Sequence, residues 1–532
     1  MTEKRLVVLL VTFALFVFVI QLNMVYINVS DIYAKEIKKT QTREHAVDDG
    51  RAVITDCNFE KITNTTSVYK TLVTAYDDDL QQVFNVLNEK DKQNFEKNIN
   101  SGKCFLSNIE YPVEDRRFYS VAQRYTDFNI AQHLIGYTDM EGNGIAGIEK
   151  AFDAQLKNGG TARYLQTDIN GYGQITGVTE TERVNNDTAT PIVLSLTTDN
   201  TIQRLCEGIA KEYIPDGSIV VMETKTGQIK AMVSTPFYSA NNVAEALTME
   251  NSPLVNKALQ SYEPGSVIKP LWAAVLLENG FDADKKYNCK GWTQVNGHTY
   301  RCNNSKAHGE INMEQALVVS CNCYFIDAAV QDKAFLYSQM SKAVGFGERI
   351  SLADGYSTAQ GNFPSFEELE NSGQLASISF GQGKMLMTPV HIAAYMNIFA
   401  NDGVYVYPQV AKGIYNADTF EMITPLCSLN EKRVVNDTTA QKIKYMLQSV
   451  VIDGAGGRAE PRHLYAGGKT GTAQTGRYNG NGTEILNAWF CGFYPFDNPQ
   501  YTICVMLNNG GESSYSAAPV FKKICDSLYY TL

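Results

Sequence analysis

Three short stretches carry residues whose types and spacing suit serine chemistry. Ser266-Val267-Ile268-Lys269 follows the turn pair Pro264-Gly265 and opens an apolar segment, SVIKPLWAAVLLEN, that stops at Gly280. A serine and a lysine three apart on a helix share one face. A neutral lysine there can take the hydroxyl proton, and the helix N-terminus favours the negative charge that develops on attack. Ser320-Cys321-Asn322, inside ALVVSCNCYF, adds a second hydroxyl able to relay a proton and an amide able to hold a carbonyl. Lys469-Thr470-Gly471-Thr472, inside YAGGKTGTAQTG, reads as an edge strand. Its glycines let an extended substrate backbone lie alongside, and Lys469 and Thr470 can bind a carboxylate.

Each pattern alone is weak, since S-x-x-K or S-x-N should arise by chance roughly once or twice in such a chain. Decoys are present: Ser67-Val68-Tyr69-Lys70, Ser239-Ala240-Asn241, Ser428-Leu429-Asn430 and Lys225-Thr226-Gly227. Only Ser266, Ser320 and Lys469 combine a consistent order with a turn-to-helix, a helical and a Gly-rich strand context.

The elements that must position them read as one α/β (α+β) domain over 190–532. Strands are expected at 191–196, 218–224, 228–234, 488–495 and 501–507, with helices at 200–214 (Asn200 as N-cap), through 266–400, and at 518–530. Strands at both ends with helices between imply a sheet shared by the two ends. Residues 30–189 form a separate α+β region. Residues 6–29 are apolar enough to cross a bilayer, and the uncleaved reading is favoured because Tyr26, Asn28 and Val29 replace an A-x-A-like cleavage site. Lys4 and Arg5 place residues 1–5 in the cytoplasm and the rest outside. The net charge of -11 excludes a nucleic-acid partner as the expected one.

S-x-x-K, S-x-N and K-T-G in this order resemble penicillin-binding proteins and class A β-lactamases. The segments YEPGSVIKP, HGEINMEQALVVSCNCYF, SFGQGKMLMTPVHIAAYMNIFANDGV and NAWFCGFYPFDNPQYTICVML are similar to those of class B penicillin-binding proteins, as is RRFYSVAQRYTDFNIAQHLIGYTDMEGNGIAGIEKAFD at 116–153. Residues 30–115 match more loosely, with Cys57 in GRAVITDCN where arginine is usual.

The resemblance implies a transpeptidase domain of the serine β-lactamase-like fold on an elongated pedestal, 30–189. It implies a peptidoglycan D,D-transpeptidase that acts on stem peptides ending in D-Ala-D-Ala and is acylated by β-lactams. On this sequence Ser266 would be the nucleophile, Lys269 its base and Ser320 the proton shuttle. Asn322, Lys469, Thr470, Gly471 and Thr472 would bind the donor, and the backbone N–H groups of Ser266 and Thr472 would form the oxyanion hole. No cofactor is expected. The partner it implies is a membrane glycan polymerase of the SEDS (shape, elongation, division and sporulation) family. Glu114-Asp115-Arg116-Arg117-Phe118 resembles a glycosyltransferase motif, but Val121 stands where that motif has histidine, so Glu114 reads as a surface or hinge residue.

Two other functions stay open. A serine β-lactamase or β-lactam sensor would share the triple, though no convincing E-x-x-L-N segment supplies a deacylation water. A non-catalytic scaffold would not need Ser266, Lys269, Ser320 and Lys469. The 11 cysteines are an odd number, so at least one is unpaired within the chain. Cys57 with Cys104, and Cys289 with Cys302, are the candidate disulfides. The second pair flanks Asn296-Gly297, a strong hairpin signal that would fold the flanks together. Cys289, His298, Cys302 and His308 match no tight zinc spacing, and no metal is expected.

Overall fold

The computed structural model describes residues 3–29, 42–114, 116–170, 174–184, 190–331 and 333–531. Two compact units result, and the chain passes between them more than once. The first holds residues 1–51, 66–123 and 161–189; the second holds 52–65, 124–160 and 190–532. The stretches 52–65 and 124–160, which a single cut near 190 would assign to the first region, therefore pack with the second unit.

In the first unit, α1 (Glu3–Val29) is the one helix among the described residues long and apolar enough to cross a membrane, with a mean hydropathy of 2.6 over Lys4–Ile27. The unit also holds two three-stranded antiparallel sheets, one of Thr42–Asp48, Thr161–Ile169 and Ile175–Val184, the other of Thr66–Val73, Phe105–Ile109 and Phe118–Gln123, with the helices Leu80–Val86 and Glu89–Asn100 packed on the second. Strand geometry disposes of one decoy. Ser67 and Lys70 lie on a strand, where residues three apart point to opposite faces, and the Lys70 ammonium donates to the Val47 carbonyl at 2.7 Å. Glu114 is exposed, and Asp115 lies outside the described residues.

The second unit is built on a five-stranded antiparallel sheet flanked by helices. In chain order its main elements are α2 (Asn200–Tyr213), β1 (Gly217–Glu223), β2 (Ile229–Thr235), α3 (Lys269–Glu278), α4 (Asn322–Ala329), α5 (Pro389–Ala400), α6 (Asp437–Asp453), β3 (Gly467–Tyr478), β4 (Glu484–Tyr494), β5 (Tyr501–Leu507) and α7 (Ala517–Leu528). The sheet order is β2-β1-β5-β4-β3, so the chain's late strands close onto its early ones. Helices α2 and α7 pack on one face and α5 on the other. Coverage of both faces explains why β4 and β5 are near-continuous apolar runs, with Trp489, Phe490, Cys491, Phe493, Ile503, Cys504, Val505 and Met506 all fully buried.

Helix α2 starts where the sequence places it, but its cap is Asp199, one residue earlier than expected. The Asp199 carboxylate accepts from the amides of Thr201 and Ile202 at 2.9 and 3.2 Å. A carboxylate at that position also meets the positive end of the helix dipole.

Helix α3 is apolar all round from Pro270 to Leu277, and Lys269 to Leu276 are buried. Trp272 stacks on Tyr337 at 4.3 Å and donates its indole N–H to the Ile378 carbonyl at 3.0 Å, so the helix that carries the first motif is pinned from two directions.

Candidate active site

Gly265–Ile268 forms a single 3₁₀ turn that feeds directly into α3. Residues i and i+3 eclipse in that geometry, so Lys269 lies along the same edge as Ser266. Pro270 is accommodated at the first turn of α3, where its missing N–H has no intrahelical partner to lose. Gly265 has φ +60°, and its N–H donates to the Gly381 carbonyl at 2.9 Å. A Cβ on Gly381 would fall 1.9 Å from the Gly265 oxygen, so SFGQG supports the nucleophile turn from beneath by backbone contact alone.

The second motif is a corner between two helices. Met313–Val318 ends in a Schellman arrangement: Ser320 N–H donates to the Leu317 carbonyl at 3.2 Å and Cys321 N–H to the Ala316 carbonyl at 2.8 Å. Ser320 occupies the left-handed position, φ +55°, that glycine usually takes. A non-glycine residue held there costs about 1–3 kcal/mol and persists only where its surroundings enforce it. Cys321 is the N-cap of α4, its sulfur accepting from the Tyr324 amide at 3.4 Å, and Asn322 is the first helical residue.

The third motif lies on the free edge of the sheet, β3. A Cβ on Gly471 would stand 2.8 Å from both the Pro264 carbonyl oxygen and the Val267 nitrogen, and one on Gly265 would stand 2.8 Å from the Thr472 oxygen. Glycine at these two places is what lets the strand backbone and the Ser266 turn touch.

Two fully buried lysines converge on Ser320. Lys269 Nζ donates to the Asn322 Oδ1 at 2.7 Å, to the Ser320 carbonyl at 2.8 Å and to Ser320 Oγ at 3.4 Å. Lys469 Nζ donates to Ser320 Oγ at 3.0 Å and to the Thr470 carbonyl at 3.1 Å. With both lone pairs of Ser320 Oγ taken, its own proton is free to be given to a third group. Burial lowers the Lys269 pKa from 10.5 to about 8, opposed only by nearby thiols. Burial also holds Lys469 well below its ordinary value, reinforced by the charge of Lys269. Asn322 is oriented at both ends, since its Nδ2 donates to the Arg301 carbonyl at 3.1 Å.

Residues 217–526, more than half of the chain, match the penicillin binding protein transpeptidase domain. The chain belongs to that family. It is 29% identical over 411 residues to stage V sporulation protein D of Bacillus subtilis, which covers 73% of this chain and 60% of that protein. It is 31% identical over 339 residues to the peptidoglycan D,D-transpeptidase MrdA of Acinetobacter baumannii, covering 57% of this chain and 50% of that one. The chain thus spans one half to three fifths of these relatives' length. Among solved structures, penicillin-binding protein 3 of Mycobacterium tuberculosis complexed with aztreonam superposes with a TM-score of 0.66 at 22% identity, covering 92% of this chain and 97% of the other. A chain of a peptidoglycan synthase complex that coordinates polymerization and crosslinking superposes with a TM-score of 0.70 at 22% identity, covering 98% and 97%. These two likenesses establish the fold.

The structure brings Lys269, Ser320, Asn322, Lys469 and Thr470 into one hydrogen-bonded cluster, with the Ser266 turn and Gly471-Thr472 in backbone contact beside it. The decoy Lys225-Thr226-Gly227 sits at the β1–β2 hairpin, away from all of them. Ser513 was not legible in the sequence. Its amide donates to Thr472 Oγ1 at 3.2 Å and the two hydroxyl oxygens stand 3.0 Å apart. Ser513 follows Gly510-Gly511 in a loop with no motif, so only the turn after β5 reveals it. Glu263 was likewise missed. Its carbonyl accepts from the Trp489 indole at 2.9 Å and its carboxylate from Asn487 at 3.4 Å, tying the residue before the Pro264-Gly265 turn to β4.

The cysteines are all free thiols. Cys57 and Cys104 belong to different units. Cys289 and Cys302 flank the hairpin Trp292–Val295/His298–Arg301, whose turn is Asn296-Gly297. Their sulfurs are 3.8 Å apart, beyond a bonded S–S length of about 2.05 Å.

Proposed function

We propose that this chain is a peptidoglycan D,D-transpeptidase that works through an acyl-serine intermediate and is inhibited by β-lactams. The observation that carries this reading is the convergence of two buried, pKa-depressed lysines on Ser320 beside the Ser266 turn. Neutral Lys269 keeps two N–H groups, for Asn322 Oδ1 and the Ser320 carbonyl, and its lone pair accepts the Ser266 proton as Oγ attacks the carbonyl of the penultimate D-Ala. The backbone N–H groups of Ser266 and Thr472 hold the oxyanion. Ser320 gives its proton to the departing D-Ala amine and is reprotonated from the lysines beside it. An acceptor amine then attacks the acyl ester, its proton returns by the same route, and Ser266 is released. Lys469, Thr470 and Thr472 bind the donor carboxylate and Asn322 the donor amide.

The test is incubation with a fluorescent penicillin, followed by mass spectrometry of the labelled peptide and a chase. The adduct is expected on Ser266 and is expected to last for minutes, since a transpeptidase keeps water from its acyl ester. Rapid turnover with free enzyme regenerated would instead mark a β-lactamase.

We further propose that α1 is a single-pass anchor with residues 30–532 outside the cytoplasm, the stretch 30–189 serving as pedestal, and that the membrane partner is a glycan polymerase of the SEDS family. The supports are the apolar run Lys4–Ile27 and the likeness to a chain of a synthase complex. Removing residues 1–30 is expected to release a soluble chain that still binds penicillin and no longer co-purifies with the polymerase. Retention of the truncated chain in the membrane fraction would refute the single anchor.

A further inference from the structure

The loop that joins β5 to α7 buries one side chain. From Asn508 to Ser516, Ser513 alone is buried, at 3% exposure, while Glu512 and Tyr515 beside it are exposed. Burying a hydroxyl costs free energy that only a hydrogen bond offsets. The partner here is the Thr472 hydroxyl of the third motif. The Ser513 N–H donates to Thr472 Oγ1 at 3.2 Å, and the two side-chain oxygens stand 3.0 Å apart. Among the described residues no other group shares a hydrogen bond with Thr472 Oγ1.

The loop is fastened at both ends. At its start the Asn508 N–H donates to the Asp216 carbonyl at 2.9 Å, and Asn508 Nδ2 donates to Asp216 Oδ1 at 3.1 Å. The same carboxylate is paired at 3.1 Å with Lys257, which is itself buried. At its end the Ser513 carbonyl accepts from the Ala518 N–H at 3.0 Å, in the first turn of α7. Between the two, a Cβ on Gly510 would stand 2.7 Å from the Cβ of Ala488, the β4 residue paired with Thr472. Glycine at 510 thus lets the loop close onto the strand pair. None of these contacts uses the Ser513 hydroxyl, so its removal leaves the loop in place.

A threonine hydroxyl has one proton to give and two lone pairs. The Ser513 amide fills one lone pair. The 3.0 Å contact fills either the second lone pair, with Ser513 donating, or uses the proton, with Thr472 donating. A carboxylate beside Thr472 decides between them, because it only accepts. Ser513 then turns its proton onto Thr472, both lone pairs of Thr472 are taken, and the Thr472 proton is left for the carboxylate. Hydrogen bonds in such a chain polarise one another.

We propose that Ser513 is a positioning residue that aims the Thr472 hydroxyl at the terminal carboxylate of the donor peptide, and so favours donors that end in a free carboxylate. Ser513 does not touch the donor. No proton leaves either hydroxyl; the two O–H bonds only rotate. The inference rests on the reading of Lys469, Thr470 and Thr472 as carboxylate ligands, and it adds to them a residue from outside the three motifs.

The experiment compares benzylpenicillin, whose carboxylate stands in for that of the donor, with its methyl ester. The rate of acylation of Ser266 is measured on the full-length protein in detergent. The unaltered chain is expected to react with the acid about tenfold faster or more, the contribution of hydrogen bonds to a charged group. Ser513→Ala is expected to slow the acid by about threefold to tenfold, the contribution of one hydrogen bond, and to leave the ester unchanged. In a Thr472→Val background the same substitution should cause no further loss on the acid, because the group it acts through is gone. Should the alanine variant melt early, Ser513→Thr and Ser513→Val, alike in shape and different in the hydroxyl, make the same comparison. Threonine should outpace valine on the acid and match it on the ester. An equal loss on acid and ester, no loss on the acid, or an undiminished loss in the Thr472→Val background would overturn the role of Ser513. Equal rates for acid and ester in the unaltered chain would instead overturn the carboxylate subsite itself, and the inference with it.

Discussion

Ser266→Ala is expected to abolish covalent labelling by penicillin while leaving the fold intact. Serine enzymes stripped of their nucleophile lose on the order of 10⁶-fold in kcat, and a covalent adduct cannot form at all without the Oγ. The fold should tolerate the change. Ser266 is only partly buried, and the turn it occupies is held by backbone contacts of Gly265 with Gly381 and of Gly471 with Pro264 and Val267, none of which involves the hydroxyl. A substitution of this kind falls within about 0.5 kcal/mol of neutral. Gel fluorescence and the melting temperature, measured on the same preparation, check the two halves. Undiminished labelling of the alanine variant would place the nucleophile elsewhere. Lost labelling together with a collapsed melting transition would leave the two effects inseparable at this position, and Ser266→Cys, which keeps the shape and a nucleophile, then decides by whether it is acylated.

The second large effect is expected at Lys269. A positioned general base contributes about 10²–10⁴-fold, so Lys269→Met should slow acylation by at least about two orders of magnitude. The variant also removes the donor to Asn322 Oδ1 and to the Ser320 carbonyl, so the loss should fall in the upper part of that range. The pH profile separates the base role from a merely structural one. Because the pKa of Lys269 is lowered to about 8, its neutral fraction rises about tenfold per pH unit below that value and levels above it. The acylation rate of the unaltered chain should follow that curve, and the methionine variant should be flat across it. The groups facing Lys269 are Lys469 and the thiols of Cys302, Cys321 and Cys323.

Stability carries the same signature with a definite sign. The unfolded chain holds the lysine proton up to about 10.5 while the folded chain gives it up near 8, so between these values the unfolded state binds more protons and stability rises with pH. Lys269→Met should reduce that rise. A pH-independent acylation rate in the unaltered chain would rule out Lys269 as the base.

How much of the site could be read in advance depended on how local each feature is. Ser266-x-x-Lys269 was legible because three-residue spacing on a turn-to-helix junction is a property of the segment itself. The same spacing at Ser67 and Lys70 is defeated by strand geometry, which the surrounding apolar pattern only hints at. Asp199 displaced Asn200 as the cap of α2 because a cap is decided by which residue turns out of the helix, and both types qualify. Ser513 and Glu263 could not be found, since each contributes through a partner more than 40 residues away, Thr472 in one case and Trp489 in the other.

The sequence by itself determined the local chemistry: an apolar run sufficient to cross a membrane, a serine and lysine on one edge of a helix start, glycines at 468 and 471 on an edge strand, and an Asn-Gly turn at 296–297. These follow from dihedral preference and periodicity, which act over a few residues. The tertiary structure alone decided which lysines share Ser320, because Lys269 and Lys469 are 200 positions apart and meet only when β3 closes the sheet against the α3 turn. It decided that both are starved of solvent, and so that their protons are loosely held. It brought Cys321, and not His298, which is exposed on the hairpin, next to Cys289, Cys302 and His308. Cys321 reads in sequence as the middle of a catalytic motif; only the Schellman corner turns its side chain away from Ser320 and inward, toward the other three.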